Sequence, residues 1–188
     1  MQKIFILFLV NFPLFFLFLV PPPGFASNIP APFFCVRTGD DQELNLDMLK
    51  GKVVSVWYET KEVVEKNKTL KNALKNFYLT MPENLKAQYA RVPVIKCSPA
   101  PWPIIKIWKY KLQENSKREG ITLYGDWDGK MLTDCGMKDN ESNFFIIDKK
   151  GFIRYRAAGQ IKDEEIKKII ELLENLLKES YPNGDKRE

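Results

Sequence analysis

The run Val53-Val54-Ser55-Val56-Trp57, followed by Tyr58-Glu59-Thr60-Lys61-Glu62-Val63-Val64-Glu65-Lys66 and then by a helical pattern, decides the fold. The first run is short, β-branched and nearly uninterrupted, which is typical of a strand buried on both faces of a sheet. After the charged segment, which Thr60 is placed to cap, apolar residues recur at helical spacing. These are Val63, Leu70, Ala73, Leu74 and Phe77. A strand, a connecting segment and a helix are therefore predicted.

The rest of the chain predicts a second strand, a long helix and a closing hairpin. Residues 92–97 are a second buried strand, and Pro103 is well placed to begin a helix that runs to about Arg118. We expect that helix to bury Ile104, Ile105, Trp108 and Leu112. Residues 144–148 and 152–157 predict a hairpin, and Asp163 is placed to cap the last helix.

Two short strands are also predicted before this core, at residues 33–37 and 43–46, with a turn between them. The predicted order is a β-hairpin, a βαβ unit, an inserted helix and strand, and then ββα. This order predicts an α/β fold, with a mixed central sheet, helices on both faces and an N-terminal β-hairpin.

The first residues have the pattern of an export signal. Lys3 precedes an apolar run over residues 4–20, three prolines follow, and Gly24-Phe25-Ala26 offers small residues for a signal peptidase. We predict a signal peptide over residues 1–26, cleaved after Ala26. The alternative is an uncleaved membrane anchor. Residues 27–32 are then an extended leader, 33–180 the folded domain and 181–188 a disordered tail.

Composition excludes several kinds of function. The net charge is +5, but basic and acidic residues are interspersed, so no nucleic-acid-binding stripe is predicted. The chain has no histidine, which removes the commonest general base and the commonest metal ligand. We expect no cofactor. Asp126-Trp127-Asp128-Gly129 is similar to the start of a calcium loop but lacks the other ligands, so it predicts a turn and no metal site.

Three stretches resemble a known superfamily. Gly51-Lys52-Val53-Val54-Ser55-Val56 and Phe144-Phe145-Ile146-Ile147-Asp148-Lys149-Lys150-Gly151-Phe152-Ile153 resemble the first buried strand and the final hairpin of the thioredoxin and AhpC/TSA superfamily. Glu65-Lys66-Asn67-Lys68-Thr69-Leu70-Lys71-Asn72-Ala73-Leu74-Lys75 and Gly159-Gln160-Ile161-Lys162-Asp163-Glu164-Glu165 are closer to the YtfJ-type branch. The resemblance implies a thioredoxin-like fold and export to the bacterial periplasm.

The chain departs from redox-active members of that superfamily in two places. Their Cys-x-x-Cys positions fall on Glu62 and Glu65, or on Val63 and Lys66, and neither choice supplies a thiolate. The proline that faces the dithiol in those members falls near Ser142. The resemblance therefore implies a degenerate active site.

The three cysteines lie elsewhere. Cys97 and Cys135 are both placed at the edge of the sheet that carries the active site in this fold. Three interpretations stay open for them: a relocated redox or regulatory pair, a structural disulfide, or buried, unreactive thiols. Cys35 is predicted to be buried and unpaired, and the odd count leaves at least one thiol without an intramolecular partner.

Four other residues are candidates for binding. Asn67 either lines the old active-site cleft or is a boundary residue bonded to a loop. Trp102, in a Pro-rich loop at the end of a central strand, either anchors a peptide or packs on its own helix. Glu62, with Glu59 and Glu65, places carboxylates at the same edge unless all three are solvated. Ser142 is the fourth candidate binding residue.

The sequence therefore predicts an exported thioredoxin-fold protein without the dithiol, which binds another periplasmic protein, a peptide or a small ligand. It predicts no nucleic-acid partner, and membrane attachment only if the signal segment is uncleaved. The alternative function is a thiol-disulfide oxidoreductase that uses Cys97 and Cys135.

Overall fold

The computed structural model describes residues 29–180, so the predicted signal peptide and C-terminal tail lie outside the described residues. The strands are β1 (Ile29–Pro30), β2 (Cys35–Arg37), β3 (Glu43–Asn45), β4 (Val53–Glu59), β5 (Tyr89–Lys96), β6 (Tyr124–Asp126), β7 (Asn143–Ile147) and β8 (Phe152–Ala158). The helices are α1 (Lys68–Thr80), α2 (Glu83–Lys86), α3 (Ile104–Glu119), α4 (Lys130–Asp134) and α5 (Asp163–Lys178), with a 3-10 turn at Leu46–Leu49.

The strands form one mixed sheet in the order β1-β8-β7-β4-β5-β6-β2-β3. The central strands β4, β5 and β6 are parallel, and β7 pairs antiparallel with β4. The N-terminal hairpin is the antiparallel pair β2 and β3. The α/β fold predicted from the sequence is therefore confirmed. One addition comes from the leader, since Ile29 and Pro30 pair with Ile153 and Phe152 at the edge of the sheet.

The core lies on both faces of this sheet, because successive residues of β4 point to opposite sides. Trp57 packs with Phe144, at 4.2 Å between ring centroids, under α1 and α5. Val56 and Tyr58 pack on the other face with Met131 of α4. Every residue of β4 is buried, so this strand is the rigid support for the groups at its carboxyl end.

Two predicted helix starts differ from the structure. Helix α1 begins at Lys68 with Asn67 as its N-cap, so Thr60 does not cap it, and residues 61–67 form successive turns instead. Helix α5 begins at Asp163, so the N-cap is Lys162 and Asp163 lies in the first turn. An acidic residue is favourable there because of the helix dipole. Among the described residues, no helix is long and apolar enough to span a membrane.

Candidate functional site

A buried carboxylate stands where β4 ends, next to the segment to which the resemblance assigns the Cys-x-x-Cys motif. Glu59 is only 3% exposed. Its Oε2 lies 2.6 Å from Nζ of Lys71, and its Oε1 accepts a hydrogen bond of 2.5 Å from Oγ of Ser142. Glu59 is therefore buried and not solvated, because it has matched groups in a lysine and a serine from distant parts of the chain.

Asn67 extends this arrangement to the loop before α5. Its Nδ2 donates to Oγ of Ser142 and to the carbonyl of Gly159, both at 2.9 Å, and its Oδ1 accepts from the backbone N–H of Ile161 at 2.9 Å. The interpretation of Asn67 as a residue bonded to a loop fits this geometry, since the side chain is only 2% exposed. Glu59, Lys71, Ser142 and Asn67 together are called the Glu59 network below.

The Glu59 network does not have the properties of a hydrolytic site. The Ser142 hydroxyl is completely buried and already donates to Glu59, so no substrate can reach it. Lys71 is the one member with substantial exposure, at 28% of its side chain, and its Nζ lies 5.2 Å from the centre of the Trp57 ring. The network therefore joins the end of β4 to α1, to the residue before β7 and to the loop before α5, and the Lys71 ammonium also donates to the carbonyl of Val64.

The buried position of Glu59 gives a testable pH dependence. Burial raises the pKa of Glu59, although the Lys71 ammonium and the hydrogen bonds from Lys71 and Ser142 act in the opposite direction. The folded protein then holds this proton more tightly than the unfolded chain, so the contribution of Glu59 to stability increases as the pH falls through the raised pKa. We expect the free energy of unfolding of the native protein, minus that of Glu59→Gln, to increase from about pH 7 to about pH 5. Urea titrations at each pH measure both free energies of unfolding. A decrease of their difference would show that Lys71 lowers the pKa of Glu59 more than burial raises it.

None of the three cysteines hydrogen-bonds to the Glu59 network. All three are free thiols, with Cys97 and Cys135 at 2% and 4% exposure. Burial raises the pKa of both thiols to about 12, and the Asp126 carboxylate acts in the same direction on each. Cys35 is half-buried rather than buried, because it lies on the short strand β2 opposite Asn45. Burial raises its pKa as well, with a further contribution from Glu43.

In the turn at residues 126–129, the Asp126 carboxylate is hydrogen-bonded within the protein. Asp126 accepts a hydrogen bond of 2.9 Å from the Tyr58 hydroxyl and further bonds from the backbone N–H groups of Gly129 and Leu132. Within residues 29–180, no group of acidic or cysteine side chains could hold a metal ion.

A long groove opens beside the Glu59 network, between α1 and α3. It has a volume of about 850 Å³, and its floor is the face of β4 and β5. The residues that form its floor and walls include Ser55, Trp57, Pro93, Ile95, Leu74, Tyr78, Leu79, Trp108 and Leu112. This α1–α3 groove starts at the carboxyl ends of the strands, where ligands bind in open α/β sheets.

The groove exists because α3 does not close onto the sheet as predicted. Of the four residues expected to be buried, Leu112 alone is buried, whereas Ile104 is 43% exposed. The helix contacts the turn before β3, where Lys109 forms an ion pair with Asp41. A Cβ at Gly39 would lie 2.2 Å from the carbonyl oxygen of Lys109, so glycine permits this close approach.

The predicted binding residues are thus divided. Asn67 and Ser142 are brought together but are buried, whereas Glu62 is exposed and borders the groove. Trp102 is 76% exposed just before α3, with Nζ of Lys106 at 5.8 Å from its ring. Lys71 and the position of Trp108 in the wall of the groove were not predicted from the sequence. One signal for Lys71 is its spacing, since it lies four residues after Asn67 and next to the buried Leu70 in α1.

Comparisons with known proteins identify the fold. No family model and no curated protein matches the chain. Solved structures do: a protein from Bacteroides thetaiotaomicron proposed to be a protein disulfide isomerase is 22% identical with a TM-score of 0.62, over 84% of this chain and 94% of its own. A secreted thiol-disulfide isomerase from Corynebacterium glutamicum is 10% identical with a TM-score of 0.60, over 79% and 86%.

A third neighbour is an exposed lipoprotein thioredoxin from Streptococcus pneumoniae, 17% identical with a TM-score of 0.54, over 77% of this chain and 99% of its own. These neighbours show that the protein has the thioredoxin fold, and at such identities they show the fold alone. Function has to be argued from the Glu59 network, the cysteines and the groove.

Proposed function

We propose that the protein is an exported accessory protein of the periplasm, of the YtfJ type, that binds a protein or peptide and does not exchange disulfides. The single observation that carries this proposal is the Glu59 network. A carboxylate, a lysine, an amide and a hydroxyl fill the edge where redox members of the superfamily need a dithiol and its facing proline. None of these groups can form a disulfide.

The state of the cysteines supports the same proposal. Disulfide exchange needs an accessible thiolate, and a thiol with a pKa of about 12 is almost completely protonated at neutral pH. Export is supported by the apolar N-terminal pattern and by two structural neighbours, one of them secreted and one an exposed lipoprotein.

The alternative is a thiol-disulfide oxidoreductase that uses Cys97 and Cys135. One observation favours it: Cys97 borders the α1–α3 groove. It requires the pair to form a bond that opens and closes at physiological potentials.

Alkylation of the exported, mature protein tests the choice. We expect mass spectrometry to find Cys97 and Cys135 unlabelled by iodoacetamide in the native protein and labelled after denaturation, with the half-buried Cys35 labelled at an intermediate rate. Insulin reduction should proceed at the uncatalysed rate. A Cys97–Cys135 bond that glutathione opens readily, together with catalysed insulin reduction, would overturn the proposal and establish the alternative.

A further inference from the structure

The floor of the α1–α3 groove is a strip of sheet that no element of the described residues covers completely. Strand β5 lies between β4 and β6, and such central strands are ordinarily buried on both faces. On the groove side, however, Arg91, Pro93 and Ile95 are only half-buried. The apolar floor therefore has the size and position of a surface that a bound chain would cover.

The walls of the groove carry an excess of positive charge. Eight lysines and arginines line it against four glutamates, and Asp139 pairs with Lys96 from outside the lining, so the surplus is three positive charges. Lys68 and Lys75 on α1 are seven residues apart, as are Lys111 and Arg118 on α3, so each pair spans about 10 Å of its helix. Lys68 and Arg118 pair with Glu65 and Glu119, whereas no carboxylate of residues 29–180 lies within ion-pair distance of Lys75 or Lys111.

We propose that this groove binds an acidic, amphipathic segment of a partner protein, with apolar side chains on the floor and carboxylates against the two basic walls. This inference rests on the proposed binding function and specifies its partner. Charge complementarity favours a peptide over a fatty acid, because a fatty acid carries one charge at one end whereas the basic groups follow both walls. From Lys68 to Leu79 the wall is about 16 Å long, enough for about five extended residues or three helical turns.

Aromatic side chains of the groove offer packing contacts for a ligand, in addition to the positive charge of its walls. Trp57 lies in the floor and Trp108 in the α3 wall, and the guanidinium of Arg91 stacks on Tyr78 at 3.8 Å from the ring centre. Aromatic and arginine side chains dominate the binding energy of many peptide interfaces. A segment that contains both apolar and acidic residues can therefore pack on the aromatic side chains and form ion pairs with the basic ones along the groove.

Selection from a display library of random peptides tests this directly on the full mature chain. We expect the enriched peptides to have net negative charge and regularly spaced apolar residues. A synthetic, fluorescein-labelled copy of the most enriched peptide should bind, by anisotropy, more weakly as ionic strength increases. The double variant Lys75→Glu with Lys111→Glu should bind it at least tenfold more weakly, and Asn72→Trp, which fills the groove from an exposed position, should also weaken it.

The matched control is the double variant Lys167→Glu with Lys168→Glu, which makes the same change of charge on exposed positions of α5 outside the groove. It should bind like the native protein. Neutral or basic enriched peptides, or equal binding by the two double variants, would overturn the groove assignment. Catalysed insulin reduction together with groove-dependent peptide binding would instead overturn the proposed function alone, so the two failures are distinguishable.

Discussion

Replacing Asn67 with alanine is expected to lower the free energy of unfolding by about 3 kcal/mol. The amide makes three hydrogen bonds to Ser142, Gly159 and Ile161, and these partners lie 75 to 94 residues away in the chain. The buried N–H of Ile161 and the carbonyl of Gly159 would lose their partner, and each such loss costs about 1–3 kcal/mol, less what entering water restores. Urea denaturation measures the change, with an unchanged m-value expected.

Asn76→Ala is the matched control for this substitution. It makes the same chemical change on the same helix, but at an exposed position whose side chain makes no hydrogen bond within the described residues. We expect it to be neutral or slightly stabilising, because alanine has the better helix propensity. A loss of stability at Asn67 no larger than that at Asn76 would show that the Glu59 network does not join α1 to the loop before α5.

Much of the fold was predictable because its signals are local. The buried run of β4 and the β7–β8 hairpin are visible as short β-branched and aromatic stretches, and α5 as a periodic stripe with acids in its first turn. The late start of α1 was not predictable in this way. Thr60 is an acceptable N-cap residue, and only the contacts of Asn67 with Ser142 and Gly159 place the helix start seven residues later.

The candidate site was predictable only in part, because its partners are far apart in sequence. Asn67, Ser142 and Glu62 were predicted from the sequence as candidates, but the burial of Glu59 depends on Lys71 and on Ser142, 12 and 83 residues further along. The groove was missed because an apolar stripe on α3 indicates a buried face without indicating what it faces. Helix α3 approaches the turn at Gly39 closely, and that contact has no signature in the sequence of α3.

Replacing Lys149 with methionine is expected to lower the free energy of unfolding by about 2–3 kcal/mol. This lysine is 6% exposed, and its Nζ donates to Oε1 of Gln88 and to the carbonyl oxygens of Leu177 and Glu179, all within 2.9 Å. It thereby satisfies carbonyls at the end of α5 that have no partner inside the helix and places positive charge at the negative end of the dipole. Methionine keeps the packing volume, and the loss of a buried charge offsets part of the cost.

The adjacent Lys150→Met is the matched control, since Lys150 lies in the same hairpin turn but is exposed. We expect it to change stability by no more than a few tenths of a kcal/mol. Hydrogen exchange locates the effect: in Lys149→Met the amides of the last turn of α5, around Leu176 and Leu177, should lose protection first, because the carbonyls that end the helix then depend on water. Equal stabilities for the two variants would show that solvent replaces the Lys149 ammonium without cost. Lys149 would then not stabilise the end of α5.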